Sequence, residues 1–192
     1  FQYESTGEVT QFTNWMEPHA RSRDIFYFHR PETLREMAQA DKPLRAWLRE
    51  MPQLTPAGLW PKQHTAIVNL ERSLSLGRPK ALIQMATGSG KTFTAANIAY
   101  RLITHARARR VCFLVDRTNL GTQTLKEFQQ FQPPGERQTF DKIYNTAFPR
   151  RNHFDPINRV VITTIQRLYS VLTNQADLAE DDEERSSFEG PG

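Results

Sequence analysis

Residues 85–92 read Met-Ala-Thr-Gly-Ser-Gly-Lys-Thr, a spacing that can hold phosphate. Gly88 and Gly90 permit the backbone curl that turns successive N–H groups inward onto an anion. The amides of Thr87, Gly88, Ser89, Gly90 and Lys91 form the cradle, and Lys91 adds a mobile positive charge for the β- and γ-phosphates. Thr92 offers a hydroxyl to Mg²⁺. A helix starting here aims the positive end of its dipole at the same phosphates. Lys91 and Thr92 are therefore the candidate catalytic residues, with a nucleoside triphosphate and Mg²⁺ as the expected ligands. A glycine turn with an incidental lysine is the alternative, and the flanking pattern argues against it.

That pattern supplies the elements a phosphate loop needs. Ala81-Leu82-Ile83-Gln84-Met85 is a short apolar run of strand type. Phe93, Ala96, Ile98, Ala99 and Leu102 make a helical stripe, and Val111-Cys112-Phe113-Leu114-Val115 predicts a second buried strand. Strand, glycine loop, helix, strand is the βαβ unit such a loop requires.

Three further places carry polar groups at element ends. Gln63 stands near the start of a helix predicted over 61–74, with Ala66, Ile67, Leu70 and Leu74 on one side. Its amide donates and accepts at once, which suits the edge of adenine. A lone glutamine there is otherwise a solvent-exposed side chain. Asp116-Arg117-Thr118-Asn119-Leu120 follows the second strand and opens a helix through Phe128. Arg117 and Thr118 are placed to hold a nucleic-acid phosphate, since ligands of doubly wound sheets gather where strands end. An ordinary helix cap is the competing reading. Val160-Val161-Ile162-Thr163-Thr164 predicts a third strand, and Thr164 and Gln166 occupy the same kind of place before a helix to about Asn174. Capping by Thr164 is compatible with a phosphate contact there.

The rest of the chain is less chemical. The aromatics Phe1, Tyr3, Phe12, Trp15, Phe26, Tyr27 and Phe28 lack the basic interleaving of a stacking platform and read mainly as packing. Thr6-Gly7 marks a turn between short β-like runs, and 24–28 predicts another short strand. Helices are expected from Pro31 and around Leu44, Trp47 and Leu48, and a short strand within 137–144. The five histidines show no metal-ligand spacing, and the acidic run 180–184 reads as a solvated loop. Cys112, the single cysteine, is expected to pack inside its strand. Alternating strands and helices predict an α/β fold with a doubly wound, mostly parallel sheet.

Composition adds bounds. A 192-residue chain with 38 % hydrophobic and 24 % charged residues is of globular type, and its net charge of +4 is compatible with nucleic acid. There is no apolar run of membrane-spanning length and no signal peptide, so an intracellular, cytoplasmic protein is expected. A start at Phe1 and a polar, acidic close suggest a piece of something longer.

At this point the residues resemble a family. Residues 85–92 look like motif I of superfamily 2 helicases and translocases, and Met85 departs from the glycine of small GTPases and small-molecule kinases. Gln63 falls where their adenine-recognition glutamine falls. Val115 to Gln123 looks like motif Ia, and Thr163-Thr164-Ile165-Gln166 like a later DNA-contact motif. More narrowly, the run 114–123, the loop, the Thr-Ile-Gln and Phe28-His29-Arg30-Pro31-Glu32-Thr33-Leu34 are similar to the restriction (R) subunit of type I restriction–modification enzymes. The resemblance implies a P-loop, RecA-like first motor domain over 56–175, preceded at 1–55 by a small α+β segment ending a nuclease domain and a helical linker, with an acidic loop at 176–192. It implies ATP-driven translocation on double-stranded DNA, coupled to an endonuclease, with modification and specificity subunits as partners. DNA contacts would fall on Arg117, Thr118, Thr164 and Gln166. Lys62 stands where an aromatic often precedes the glutamine, and the Asp-Glu box that holds Mg²⁺ is missing. These 192 residues alone are therefore expected to bind nucleotide weakly and hydrolyse little. Another superfamily 2 helicase, a type III restriction subunit and a nucleotide-dependent binding module without turnover are the alternatives.

Overall fold

In a computed structural model, the described residues are 1–78 and 80–173, so the acidic run and the segment 176–192 lie outside them. Two compact units form, one from Phe1–Gln84 with Thr104–Arg107, the other from Met85–Ile103 and from Ala108 onward.

The first unit opens on a hairpin. Gly7, at φ +93, makes the turn that joins β1 (Gln2–Ser5) to β2 (Thr10–Thr13), in antiparallel register with Tyr3 opposite Phe12. β3 (Arg23–Ile25) completes a three-stranded meander. Phe12 is buried beneath Tyr3 and His29, whose rings lie 5.0 and 4.4 Å from it, and the Tyr3 hydroxyl meets His29 Nδ1 at 2.7 Å. The expectation that the early aromatics mainly pack fails for the run Phe26-Tyr27-Phe28, where Phe26 is 95 % exposed. The meander has few layers to cover it, and three consecutive side chains cannot share one face. Glu17 is buried between Arg23 and Arg45, the latter at 3.1 Å. Burial first, then Arg23, lower the Arg45 pKa, and Glu17 opposes that.

The helices of this unit begin where the sequence places them. α1 (Pro31–Gln39) and α3 (Pro61–Ser75) each start on a proline, whose fixed φ and missing N–H suit a first turn. α2 (Leu44–Arg49) packs on α3, with Leu48 and Ile67 buried, and Arg49 Nε donates to the Ser75 carbonyl at 3.1 Å. Trp47 has Lys42 5.1 Å and Arg107 3.9 Å from its ring centre.

The second unit is α/β with a parallel sheet. α4 (Lys91–Thr104) leads to β4 (Val111–Val115), α5 (Thr118–Gln130), α6 (Phe140–Ile143), β5 (Thr146–Ala147), β6 (Val160–Thr164) and α7 (Ile165–Leu172). Strand order is β4-β6-β5, all parallel, with Val115 opposite Thr164. β6 is buried along its whole length, as a central strand covered on both faces must be. Phe128, Phe131, Phe140, Val160 and Ile162 form the core with Ala96, Ala99 and Ile103 of α4. Phe128 and Phe140 in it meet edge to face at 5.6 Å.

Three expectations are corrected. Residues 81–85 do not form a strand, and Leu82 is 92 % exposed. A strand exists only through a hydrogen-bonded neighbour, and among the described residues none runs beside this segment. Residues 137–144 contain a helical turn, α6, because Phe140 and Tyr144, four apart, share one face onto the core. Cys112 lies in β4 as expected but is exposed, on the opposite face from Phe113.

Candidate functional site

The loop before α4 has the backbone its glycines predict. Gly88 and Gly90 both sit at φ +77, a left-handed conformation costly for any residue with a Cβ. The curl is closed locally. The Ser89 N–H and hydroxyl both donate to the Ala86 carbonyl, at 3.3 and 2.6 Å. The Lys91 ammonium donates to the same carbonyl at 3.2 Å. Thr94 ties the helix start by donating its N–H and its hydroxyl to the Gly90 carbonyl, both at 2.9 Å. The first-turn N–H groups of α4 have no carbonyl one turn back. Thr87, Gly88 and Lys91 are exposed and Thr92 half-buried, so the loop is open to solvent. This donor set fits a polyphosphate with a Thr-bound divalent cation. Among the described residues no group of three or more His, Cys, Asp or Glu could hold a metal by itself.

Gln63 lies in the other unit. It is buried, not solvent-exposed, and its Oε1 accepts the Trp60 N–H at 3.0 Å, capping α3.

The two helix starts read from the sequence are brought together. Because β4 and β6 are parallel neighbours with Val115 opposite Thr164, residues 116–118 and 164–166 emerge side by side at the same sheet edge. Arg117 is the N-cap of α5 in extended conformation, exposed, with no hydrogen bond or ion pair among the described residues. Thr118 is buried behind it. Thr164 is wholly buried, and its hydroxyl accepts the Arg167 N–H at 3.2 Å, so its side chain caps α7. Gln166 is half-buried.

A third segment at this edge went unread in the sequence. After β5 the chain runs Phe148-Pro149-Arg150-Arg151-Asn152. Phe148 lies against Gly121 so closely that a Cβ there would stand 2.5 Å from its ring. Arg150 reaches Thr122 Oγ1 at 3.5 Å. From the other side Arg167, 1 % exposed, donates to the Arg150 carbonyl at 2.6 Å and to Asn152 Oδ1 at 3.4 Å. Asn152 Nδ2 donates to Ser170 Oγ at 2.5 Å. The available signal was the Arg150-Arg151 pair after a proline, at the end of a short strand.

A parallel sheet with a glycine-curled phosphate loop and polar helix starts at one edge defines a P-loop nucleotide-binding class. The chain belongs to the family described as "Type III restriction enzyme, res subunit", whose model matches residues 57–187, and with that family goes a RecA-like P-loop fold. Among curated proteins it is 33 % identical over 148 residues to the type I restriction enzyme EcoKI endonuclease subunit of Escherichia coli strain K12, which covers 77 % of this chain and 12 % of that protein. It is 35 % identical over 94 residues to the type I restriction enzyme SauCOLORF180P endonuclease subunit of Staphylococcus aureus strain COL, covering 49 % of this chain and 10 % of the relative. UvrABC system protein B of Borreliella afzelii strain PKo is 36 % identical over 94 residues, 49 % of this chain and 13 % of that protein. The matches thus cover only about a tenth to an eighth of the length of these relatives. No solved structure matches it significantly. No helix of the described residues is long and apolar enough to cross a membrane.

Proposed function

We propose that residues 56–175 are the first RecA-like motor domain of the restriction subunit of a type I restriction–modification enzyme. On this reading its sheet is doubly wound, residues 1–55 end a nuclease domain and form the helical linker, and 176–192 are an acidic loop. The whole protein would hydrolyse ATP to move along double-stranded DNA in the cytoplasm, coupled to an endonuclease and assembled with modification and specificity subunits. The observation that carries this is the loop at 85–92, with two left-handed glycines and Lys91 at the mouth of α4. The identity to type I endonuclease subunits supports the subfamily.

The residues then have distinct tasks. Lys91 exchanges the Ala86 carbonyl for the β- and γ-phosphates, a charge-assisted contact stronger than the neutral one it leaves. The amides of 87–91 and the start of α4 hold the remaining phosphate oxygens, the Ser89 N–H leaving the Ala86 carbonyl to do so. Thr92 would hold Mg²⁺ through its hydroxyl, and the ion would supply neutralisation of the charge developing in phosphoryl transfer. Gln63 reads adenine beside its capping bond. Arg117 and the N–H groups starting α5 and α7 hold DNA phosphates; Thr118, Thr164 and Gln166 support them.

ATP hydrolysis by the full-length protein, with and without duplex DNA, tests this. DNA-stimulated turnover that Lys91→Ala removes is expected. Nucleotide binding without turnover would leave a binding module and sink the motor. Robust DNA-stimulated hydrolysis by these 192 residues alone would overturn the half-site expectation. A type III subunit is the second reading, favoured by the matched family's name. An Asp/Glu-x-Lys nuclease signature ahead of Phe1 would decide for type I.

A further inference from the structure

After β5, beside β6 in the sheet, runs a loop held by residues of both α5 and α7, with Arg151 exposed on it and the Arg150 guanidinium lying 5.1 Å from the Phe148 ring centre. On one side Phe148, itself buried, packs on the glycine of α5, and Arg150 reaches Thr122. On the other side buried Arg167 and Ser170 of α7 hold the Arg150 carbonyl and Asn152. The backbone is anchored, yet the Arg150 and Arg151 side chains are exposed. Arg151 has no hydrogen bond or ion pair among the described residues. Asp116 is the one acidic residue within the segments 116–118, 148–152 and 164–167, against four arginines. Asp155 nearby in the chain accepts the Ile157 N–H at 2.9 Å within its own turn.

We propose that Arg150 and Arg151 form a third grip on the DNA strand, binding phosphodiester oxygens beside the contacts of α5 and α7. This rests on the DNA-motor reading above and adds residues to it. A guanidinium matches a phosphate with two parallel hydrogen bonds. An anchored loop has lost its backbone freedom before the ligand arrives, which lowers the entropic cost of binding. Arg167 is a positioning residue: it holds the loop and touches no DNA.

The test is a salt titration of the full-length protein on a short duplex without any recognition sequence, read by fluorescence anisotropy. Each neutralised phosphate contributes about 0.9 to the slope of log affinity against log salt. Arg151→Ala is expected to lower that slope by about 1 and the Arg150→Ala, Arg151→Ala pair by about 2, with Arg151→Lys restoring the single loss. A purely structural role would weaken binding without changing the slope, and that result overturns the proposal. An unchanged slope in the Arg151 variant, beside a lost unit in Arg117→Ala, would remove this grip and leave the DNA reading standing. Absence of salt-dependent binding in the unaltered protein would overturn both. A loss confined to nucleotide affinity would assign the arginines to ATP and overturn the proposal.

Discussion

The loops at 85–92 and 148–152 both present positive charge, and they are built in opposite ways. The first holds itself: its hydrogen bonds run from Ser89 and Lys91 to Ala86, at most five residues away, and its shape comes from two glycine φ angles. The second is held by others, through contacts with Gly121, Thr122, Arg167 and Ser170 that span 15 to 28 residues of chain where hydrogen-bonded. A grip made of local geometry works wherever its short sequence is written. A grip made of tertiary contacts exists only once the sheet has put two helix starts side by side.

The sharpest way to break the contrast is Arg167→Ala. It removes a buried guanidinium and leaves the Arg150 carbonyl without that donor. A loss of about 3 kcal/mol in unfolding free energy is expected, measured by denaturant titration, with nucleotide affinity kept. Glu17→Ala, in the other unit, leaves Arg23 and Arg45 facing each other in a half-buried place. It should cost about 2 kcal/mol, below the figure for a fully buried pair, in the same measurement.

The two glycines sharpen the contrast further. At Gly121 φ is unremarkable for a helix, and a Cβ meets the Phe148 ring. Gly121→Ala is expected to cost about 1–3 kcal/mol by overpacking, and Phe148→Ala made with it should recover part of the clash. Gly88 has the reverse problem, with nothing near a Cβ but φ at +77. Gly88→Ala should cost about 1–2 kcal/mol in the loop conformation, visible in nucleotide affinity and scarcely in global stability. The smallest effect belongs to Cys112. Its surroundings push the thiol pKa above the ordinary value of 9.0 by desolvation, so less thiolate is present at any given pH. Alkylation of the folded protein near neutral pH should run slower than that of an unfolded control, and the gap should close only as pH rises past that value.

The same contrast sets what was legible. Gly88, Gly90, Lys91 and Thr92 announce their task by type and spacing, and α4 follows at once. β4, β6 and their following helices carried enough apolar periodicity to be placed. Residues 81–85 look like a strand by composition, but pairing, which no residue carries alone, decides. A strand pattern places Cys112 in β4 but not on its exposed face, because alternation does not say which face a neighbour covers. Gly121 lay inside a segment already read, yet its meaning depends on a phenylalanine 27 residues later. Gln63 showed its position and hid its capping bond to Trp60.

The contact between Phe148 and Gly121 has a mechanical consequence. A ring seated against a residue with no side chain leaves no slack, and Arg167 ties the same loop to α7. Phe148→Ala should therefore raise amide hydrogen exchange at the starts of α5 and α7 together. In the intact protein the loop is a strut: a pull on either helix start is carried to the other, and the two ends move as one stiff bracket.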